Sequence, residues 1–235
     1  MNQFTIGQKQ ISVYPCDEPD RPVIYLNTFA GEGEQVLRLL RDDGCPPFTL
    51  VSVSSLDWNH DMSPWEIPPV FKNADPCTGA DDYLKLFIGR IVPEAEKEIK
   101  GPVLWRGIAG YSLAGLFALY SLYQTDFFSR AASMSGSLWY PGITEYISSH
   151  TMKRTPDYLY FSLGSKEART RSPYMKTVQE NTEKIEKYYR EKGISTVFQL
   201  NPGNHYKDAE KRTAAGILWL MERQEEYNME KINKP

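Results

Sequence analysis

Cysteine is scarce in this chain of 235 residues, and the three present, Cys16, Cys45 and Cys77, stand far apart. That spacing offers neither a disulfide framework nor paired Cys-x-x-Cys zinc ligands, and it leaves free thiols in a reducing compartment as the simplest reading. Long apolar runs are missing too. No stretch reaches the roughly 20 residues that a membrane helix needs, and Met1 to Gln10 holds no apolar segment of the signal-peptide kind. The expected location is therefore cytoplasmic. Nor is there an excess of one charge: 27 basic residues stand against 30 acidic ones, for a net charge of −3. Such a surface lacks the basic field that nucleic acid or an acidic membrane demands, so neither is expected as a partner. No repeat, low-complexity tract or flexible linker interrupts the chain, which reads as a single α/β domain over residues 1–235.

What is present is organised around residues 103–136. Val103 to Ala109 is a short apolar segment whose length suits a buried strand. It runs into Gly110-Tyr111-Ser112-Leu113-Ala114-Gly115, after which Leu116, Leu119, Tyr120 and Tyr123 share one face of a helix. Strand, Gly-x-Ser-x-small, helix is the nucleophile-elbow pattern. A serine at the tip of so sharp a turn sits in a strained backbone, and residues two positions to either side must be nearly without side chains for strand and helix to approach. Gly110 meets that requirement fully, and Ala114 adds one methyl. The Leu113 N–H, at the new helix's N-terminus, is placed to receive an oxyanion.

The flanking segments read as an alternation of strands and helices. Residues 1–20 form an edge hairpin, and Pro22 to Leu26 and Phe48 to Val53 form buried strands. Between these two strands lies a loop at Asn27 to Gly33 and a helix carrying Val36, Leu37 and Leu40, stopped by Gly44. That first loop is where such a sheet places its second oxyanion donor, with Phe29 the expected N–H and Thr28 the alternative. Residues 54–65 form a long irregular stretch that reads as a cleft wall; His60 and Asp61 lack a third ligand at metal-binding spacing. Pro68, Pro69, Val70, Phe71 and Pro76 extend the irregularity. Asp81 and Asp82 then cap a helix bearing Leu84, Phe87, Ile88 and Ile91, and Pro93 opens a further helical turn.

Downstream of the elbow, Ala131 to Gly136 is a small-residue strand. Trp139 follows it, either in the core or lining a pocket. Tyr158 to Gly164 is another strand, and Glu167 just beyond it stands where the acid of a catalytic triad belongs, with Asp208 and Asp157 as weaker substitutes. Residues 173–192 form an amphipathic helix closed by Gly193, Thr196 to Leu200 the last strand, and a final helix starts near Lys207. Of the three histidines, only His205 lies in a loop after a strand and beyond the acid; His150 reads as surface.

These residues resemble the "putative esterase" branch of the α/β-hydrolases, the group that includes siderophore esterases, S-formylglutathione hydrolases and feruloyl esterases. The likeness is carried by Tyr25-Leu26-Asn27, Met62-Ser63-Pro64-Trp65, the Gly110 to Gly115 elbow, Ser135-Gly136-Ser137-Leu138-Trp139, Leu163-Gly164-Ser165-Lys166-Glu167 and Asn204-His205. It implies an α/β-hydrolase fold with a mostly parallel central sheet, helices on both faces and no large lid. It further implies Ser112 as nucleophile, His205 as base and Glu167 as orienting acid, in a serine esterase acting on a small-molecule ester with no metal or organic cofactor. Trp58, Trp65, Trp139 and Tyr140 are expected to wall an aromatic substrate cleft. An acyltransferase using the same residues, or a binding protein that keeps the fold without catalysis, are the alternatives.

Overall fold

The computed structural model describes residues 1–68 and 78–223. The expected irregular run at Pro69, Val70, Phe71 and Pro76, and the third cysteine, Cys77, lie outside those residues. Eight strands form one sheet: β1 (Asn2–Ile6), β2 (Lys9–Tyr14), β3 (Val23–Asn27), β4 (Thr49–Ser54), β5 (Arg106–Tyr111), β6 (Arg130–Met134), β7 (Tyr158–Gly164) and β8 (Ser195–Asn201). Their spatial order is β1-β2-β4-β3-β5-β6-β7-β8. The first two junctions, β1 with β2 and β2 with β4, are antiparallel, and all later ones are parallel.

Parallel strands need both faces covered, which is why they read as unbroken apolar runs in the sequence. The helices supply the cover. They are α1 (Gly33–Asp42), α2 (Trp58–Met62), α3 (Ala80–Leu86), α4 (Val92–Glu96), α5 (Leu113–Gln124), α6 (Ile143–Ser149), α7 (Val178–Glu191) and α8 (Ala209–Glu222). Val36, Leu37 and Leu40 of α1 join Ala214, Ile217, Leu220 and Met221 of α8 in the core on one face. On the other face α3, α5, α6 and α7 contribute Tyr83, Phe117, Ile143 and Tyr189 to a larger core.

Three departures from the sequence pattern have physical causes. First, α5 is not one-sided: every residue from Ala114 to Tyr123 is buried, because the helix is covered by α2 and α3 on the side away from the sheet. Second, the helix expected from Asp81 begins at Ala80 with Gly79 at its cap, and it continues through a π-turn at Phe87–Ile91 into α4. Pro93 has no N–H and its ring crowds the carbonyl of Gly89, and a widened turn relieves both. Third, α2 is a short helix inside the stretch read as irregular, and α6 lies where no element was expected; their 5 and 7 residues carry too little periodicity to signal themselves. The strand before Ser112 also starts at Arg106 rather than Val103, since its neighbour β3 pairs from Val23, just after Pro22.

Where β5 passes into α5 the chain turns on Ser112, with φ of 60° and ψ of −124°. A Cβ built on Gly110 would stand 2.4 Å from the backbone carbon and oxygen of Ala114. Glycine is therefore obligatory at 110, while the methyl of Ala114 is already buried without conflict. We expect Gly110→Ala to destabilise the fold by about 3 kcal/mol through backbone collision. Ala114→Gly should lose at most about 1 kcal/mol, the helix-propensity difference alone. Urea midpoints of the two variants at unchanged slope would check this asymmetry.

Candidate active site

Three strand ends converge at the carboxyl edge of the sheet, where β5 delivers Ser112, the loop after β7 delivers Glu167 and the loop after β8 delivers His205. Their side chains form a continuous relay. His205 Nε2 lies 3.1 Å from Ser112 Oγ, and His205 Nδ1 lies 2.7 Å from Glu167 Oε2. Asp157 sits at the opposite end of β7, 3.9 Å from Arg154, and Asp208 caps α8 in a left-handed conformation. Among the described residues, Glu167 is the carboxylate bonded to His205.

Backbone hydrogen bonds bring the two loops together. Ser165 N–H donates to the Asn201 carbonyl at 2.8 Å, and Lys166 N–H to the Gly203 carbonyl at 2.9 Å. The approach is close enough that a Cβ on Gly164 would lie 2.7 Å from the Gly203 oxygen. His205 is fixed from the other side by Tyr111, whose hydroxyl donates to the His205 carbonyl at 2.6 Å. On the elbow itself, Ser112 N–H donates to the Met134 carbonyl at 3.0 Å, and Ser137 N–H to the Ser112 carbonyl at 2.9 Å. Both ends of the strained turn are thus held by the chain leaving β6.

Glu167 is almost wholly buried, its side chain 5% exposed. Its Oε1 accepts from the Gly164 N–H at 2.6 Å, from the Ser135 hydroxyl at 2.8 Å and from the Arg212 guanidinium at 3.2 Å. Arg212, 3% exposed on α8, also donates to Ser135 Oγ, Tyr111 Oη and the Pro202 carbonyl, each at 3.2 Å. Burial pushes the Glu167 carboxyl up, but the hydrogen bond and charge of His205, the Gly164 N–H and the Ser135 hydroxyl outweigh it. The net effect is a pKa held below the ordinary 4.5. An ionised carboxylate in this position fixes the imidazole in the tautomer whose Nε2 is free to accept the serine proton.

Arg212, Ser135 and Tyr111 are the residues that sequence reasoning did not assign. One signal was available for the arginine. Arg212 shares a helical face with Gly216 and Leu220, so a charge stands on a stripe that packs inward.

Of the expected oxyanion donors, Leu113 is the first residue of α5, and neither its N–H nor that of Phe29 has a backbone partner among the described residues. Thr28 is a correction. Its N–H and its hydroxyl both donate to the Val53 carbonyl, at 2.8 and 2.9 Å, so it has no donor left to offer.

A cavity of about 440 Å³ reaches Ser112 and His205, with Phe29, Trp58, Tyr111 and Tyr206 in its wall. Trp65, Trp139 and Tyr140 do not line it. The Trp65 ring packs against Tyr120, Tyr140 and Tyr146 and its Nε1 donates to the Pro141 carbonyl at 2.9 Å, while the Tyr140 hydroxyl donates to the Trp65 carbonyl. These rings join the aromatic packing around α5 and α6, and Trp139 packs at the edge of the same core. At the cleft-wall segment Asp61 is taken up by Lys9 and by the Asp57 N–H. Cys45 is not a reactive thiol, because burial and the charge of Glu222 push its pKa up to about 12.

Comparison with known proteins places these features in a family. The model of the family described as "Putative esterase" matches residues 25–229. The chain is 22% identical over 220 residues to the uncharacterized protein YbbA of Bacillus subtilis, covering 88% of each. It is similar in structure to the siderophore hydrolase EstA of Aspergillus nidulans, with a TM-score of 0.71 at 17% identity over 94% of this chain and 93% of that one. An IroE-like serine hydrolase from Shewanella oneidensis gives a TM-score of 0.70 at 17% identity, over 91% and 76% respectively. At such identities the structural likeness establishes the α/β-hydrolase fold. No helix among the described residues is long and apolar enough to cross a membrane.

The lowered Glu167 pKa sets a pH signature. A carboxyl titrating lower in the folded than in the unfolded chain stabilises the fold fully above its unfolded pKa, and that contribution is lost as pH falls from there through the folded value. The stability gap between wild type and Glu167→Gln should therefore be constant near neutrality and shrink as pH drops below 4.5. Urea midpoints of both proteins across that range would check it, and a gap independent of pH would refute it.

Proposed function

Since this chain belongs to the Putative esterase family, we propose that it is a serine hydrolase that cleaves carboxylic esters through an acyl-enzyme on Ser112. The observation that carries this reading is the unbroken relay from Ser112 Oγ through His205 to Glu167, at 3.1 and 2.7 Å. Both distances are within hydrogen-bond reach of a working nucleophile and base.

In the first half-reaction His205 Nε2 takes the Ser112 proton as Oγ attacks the ester carbonyl. The developing oxyanion is held by the Leu113 N–H, where the α5 dipole adds to the hydrogen bond, and by the Phe29 N–H from the loop after β3. Imidazolium then returns its proton to the leaving alcohol. Water repeats the sequence on the acyl-enzyme and regenerates Ser112. Glu167 keeps its charge throughout, stabilising the imidazolium, and Arg212 with Ser135 keeps Glu167 in place. The siderophore hydrolase among the similar structures makes small-molecule esters the substrate class to screen.

A fluorophosphonate probe should add one mass increment to the wild-type protein and none to Ser112→Ala or His205→Ala. Labelling that survives in Ser112→Ala would overturn the assignment. Steady-state rates on an activated ester should fall by on the order of 10⁴-fold or more in Ser112→Ala and His205→Ala, and by less in Glu167→Gln, which spares nucleophile and base. Equal losses in all three would contradict this division of roles.

A further inference from the structure

The cavity that reaches Ser112 is acidic and aromatic at once. Its carboxylates are Glu32, at the N-terminal edge of α1, and Glu210, in the first turn of α8, and neither Lys nor Arg lines it. Among the described residues neither carboxylate forms an ion pair. Glu32 accepts only the nearby Ala30 N–H, at 3.1 Å. Carboxylates are favoured at helix N-termini whether or not a ligand binds there, but each terminus contributes only about half a positive charge against the full negative charge of the side chain. No Lys or Arg in the cavity's own lining offsets the rest; Arg38 and Arg41 line the adjoining cavity that shares both glutamates.

A second observation points the same way. Phe29 and Tyr206 are 68% and 85% exposed, two of only five large apolar side chains left exposed among the described residues, and both stand in this cavity's wall. Trp58 meets Phe29 edge-on at 5.1 Å between ring centroids. Aromatic faces held in water beside unpaired carboxylates form a receptor for a cation.

We propose that the part of the substrate held in this cavity is cationic: the esters this chain takes carry a protonated amine or a quaternary ammonium group. The inference rests on the reading of Ser112 as the nucleophile, because that is what makes the cavity a substrate site. Glu32 and Glu210 supply the charge, and Phe29, Trp58 and Tyr206 supply the faces on which the cation lies. An anionic acyl group is repelled by the same two carboxylates.

The test is equilibrium binding to Ser112→Ala protein of three amides of one size: the anilide of γ-butyrobetaine, its neutral tert-butyl isostere and the monoanilide of glutaric acid. Calorimetry should show the cation binding about tenfold or more tightly than the isostere, the anion weakest, and the ratio falling as salt is raised. Glu32→Gln, Glu210→Gln and their combination should bring the cation-to-neutral ratio towards one. That ratio is internal to each protein, so a general loss of folded material does not imitate it. Equal affinities, a preference for the anion, a ratio untouched by the glutamine variants, or no binding of any probe would each overturn the proposal. Turnover and fluorophosphonate labelling are separate readouts. Cation binding without either keeps the cavity's preference for a cation but overturns the role of Ser112, and with it the reading of that cation as part of an ester substrate.

Discussion

The structure depends on a backbone angle at one residue. Ser112 takes a positive φ that L-residues rarely adopt, and little in the serine itself favours it. The conformation persists because its surroundings over-determine it: strand β5 is locked between β3 and β6, α5 is buried along almost its whole length, and the Met134 carbonyl and Ser137 N–H hold the turn from both sides. Local strain of about 1–3 kcal/mol survives only under such constraint. In return the hydroxyl stands clear of both strand and helix, facing the loops of β7 and β8. The central position of β5 in the sheet is thus a condition for a rigidly presented Ser112 hydroxyl.

Around that fixed point the relay is assembled from pieces distant in the chain. Glu167 and His205 are 38 residues apart and meet because their loops are stitched by backbone bonds, and the acid is then gripped by a helix that follows both. A carboxylate this deeply buried would neutralise itself without compensation. The Gly164 N–H, the Ser135 hydroxyl, the Arg212 guanidinium and the imidazole together provide it. Breaking such a network at one member leaves the others buried and unmatched, which is worse than never having built it. Positioning and stability are for this reason inseparable at Glu167.

How much of this is legible in the sequence depends on whether the determinant is local. The strands announce themselves as short apolar runs because a parallel sheet is dry on both sides, and the elbow does so because Gly110 has no substitute. Ser112, Glu167 and His205 could be picked out because each follows a strand, and the structure brings their side chains together. Arg212 leaves only a faint mark, a charge on the inward stripe with Gly216 and Leu220, and its partner stays hidden until the tertiary structure is known. The same limit explains Trp65 and Tyr140, whose size and place after strands suggested a cleft wall although their rings fill the space around α5 and α6. Phe29 is the expected donor and Thr28 the alternative, and it is a tertiary partner, the Val53 carbonyl, that takes up the donors of Thr28.

The placement of Arg212 on α8 has a consequence for how the protein comes into being. A chain emerges from the ribosome amino end first, so the elbow, the acid and the histidine all appear before the helix that secures them. Until α8 docks against α1 and the sheet, Glu167 has lost one of its charged partners and the face covered by α1 and α8 is half open. A nascent chain that lacks α8 therefore holds Glu167 only through the Gly164 N–H, the Ser135 hydroxyl and His205, and the Arg212 contact arrives with the closing of that face. The order of synthesis thus leaves the Glu167 network to be completed last.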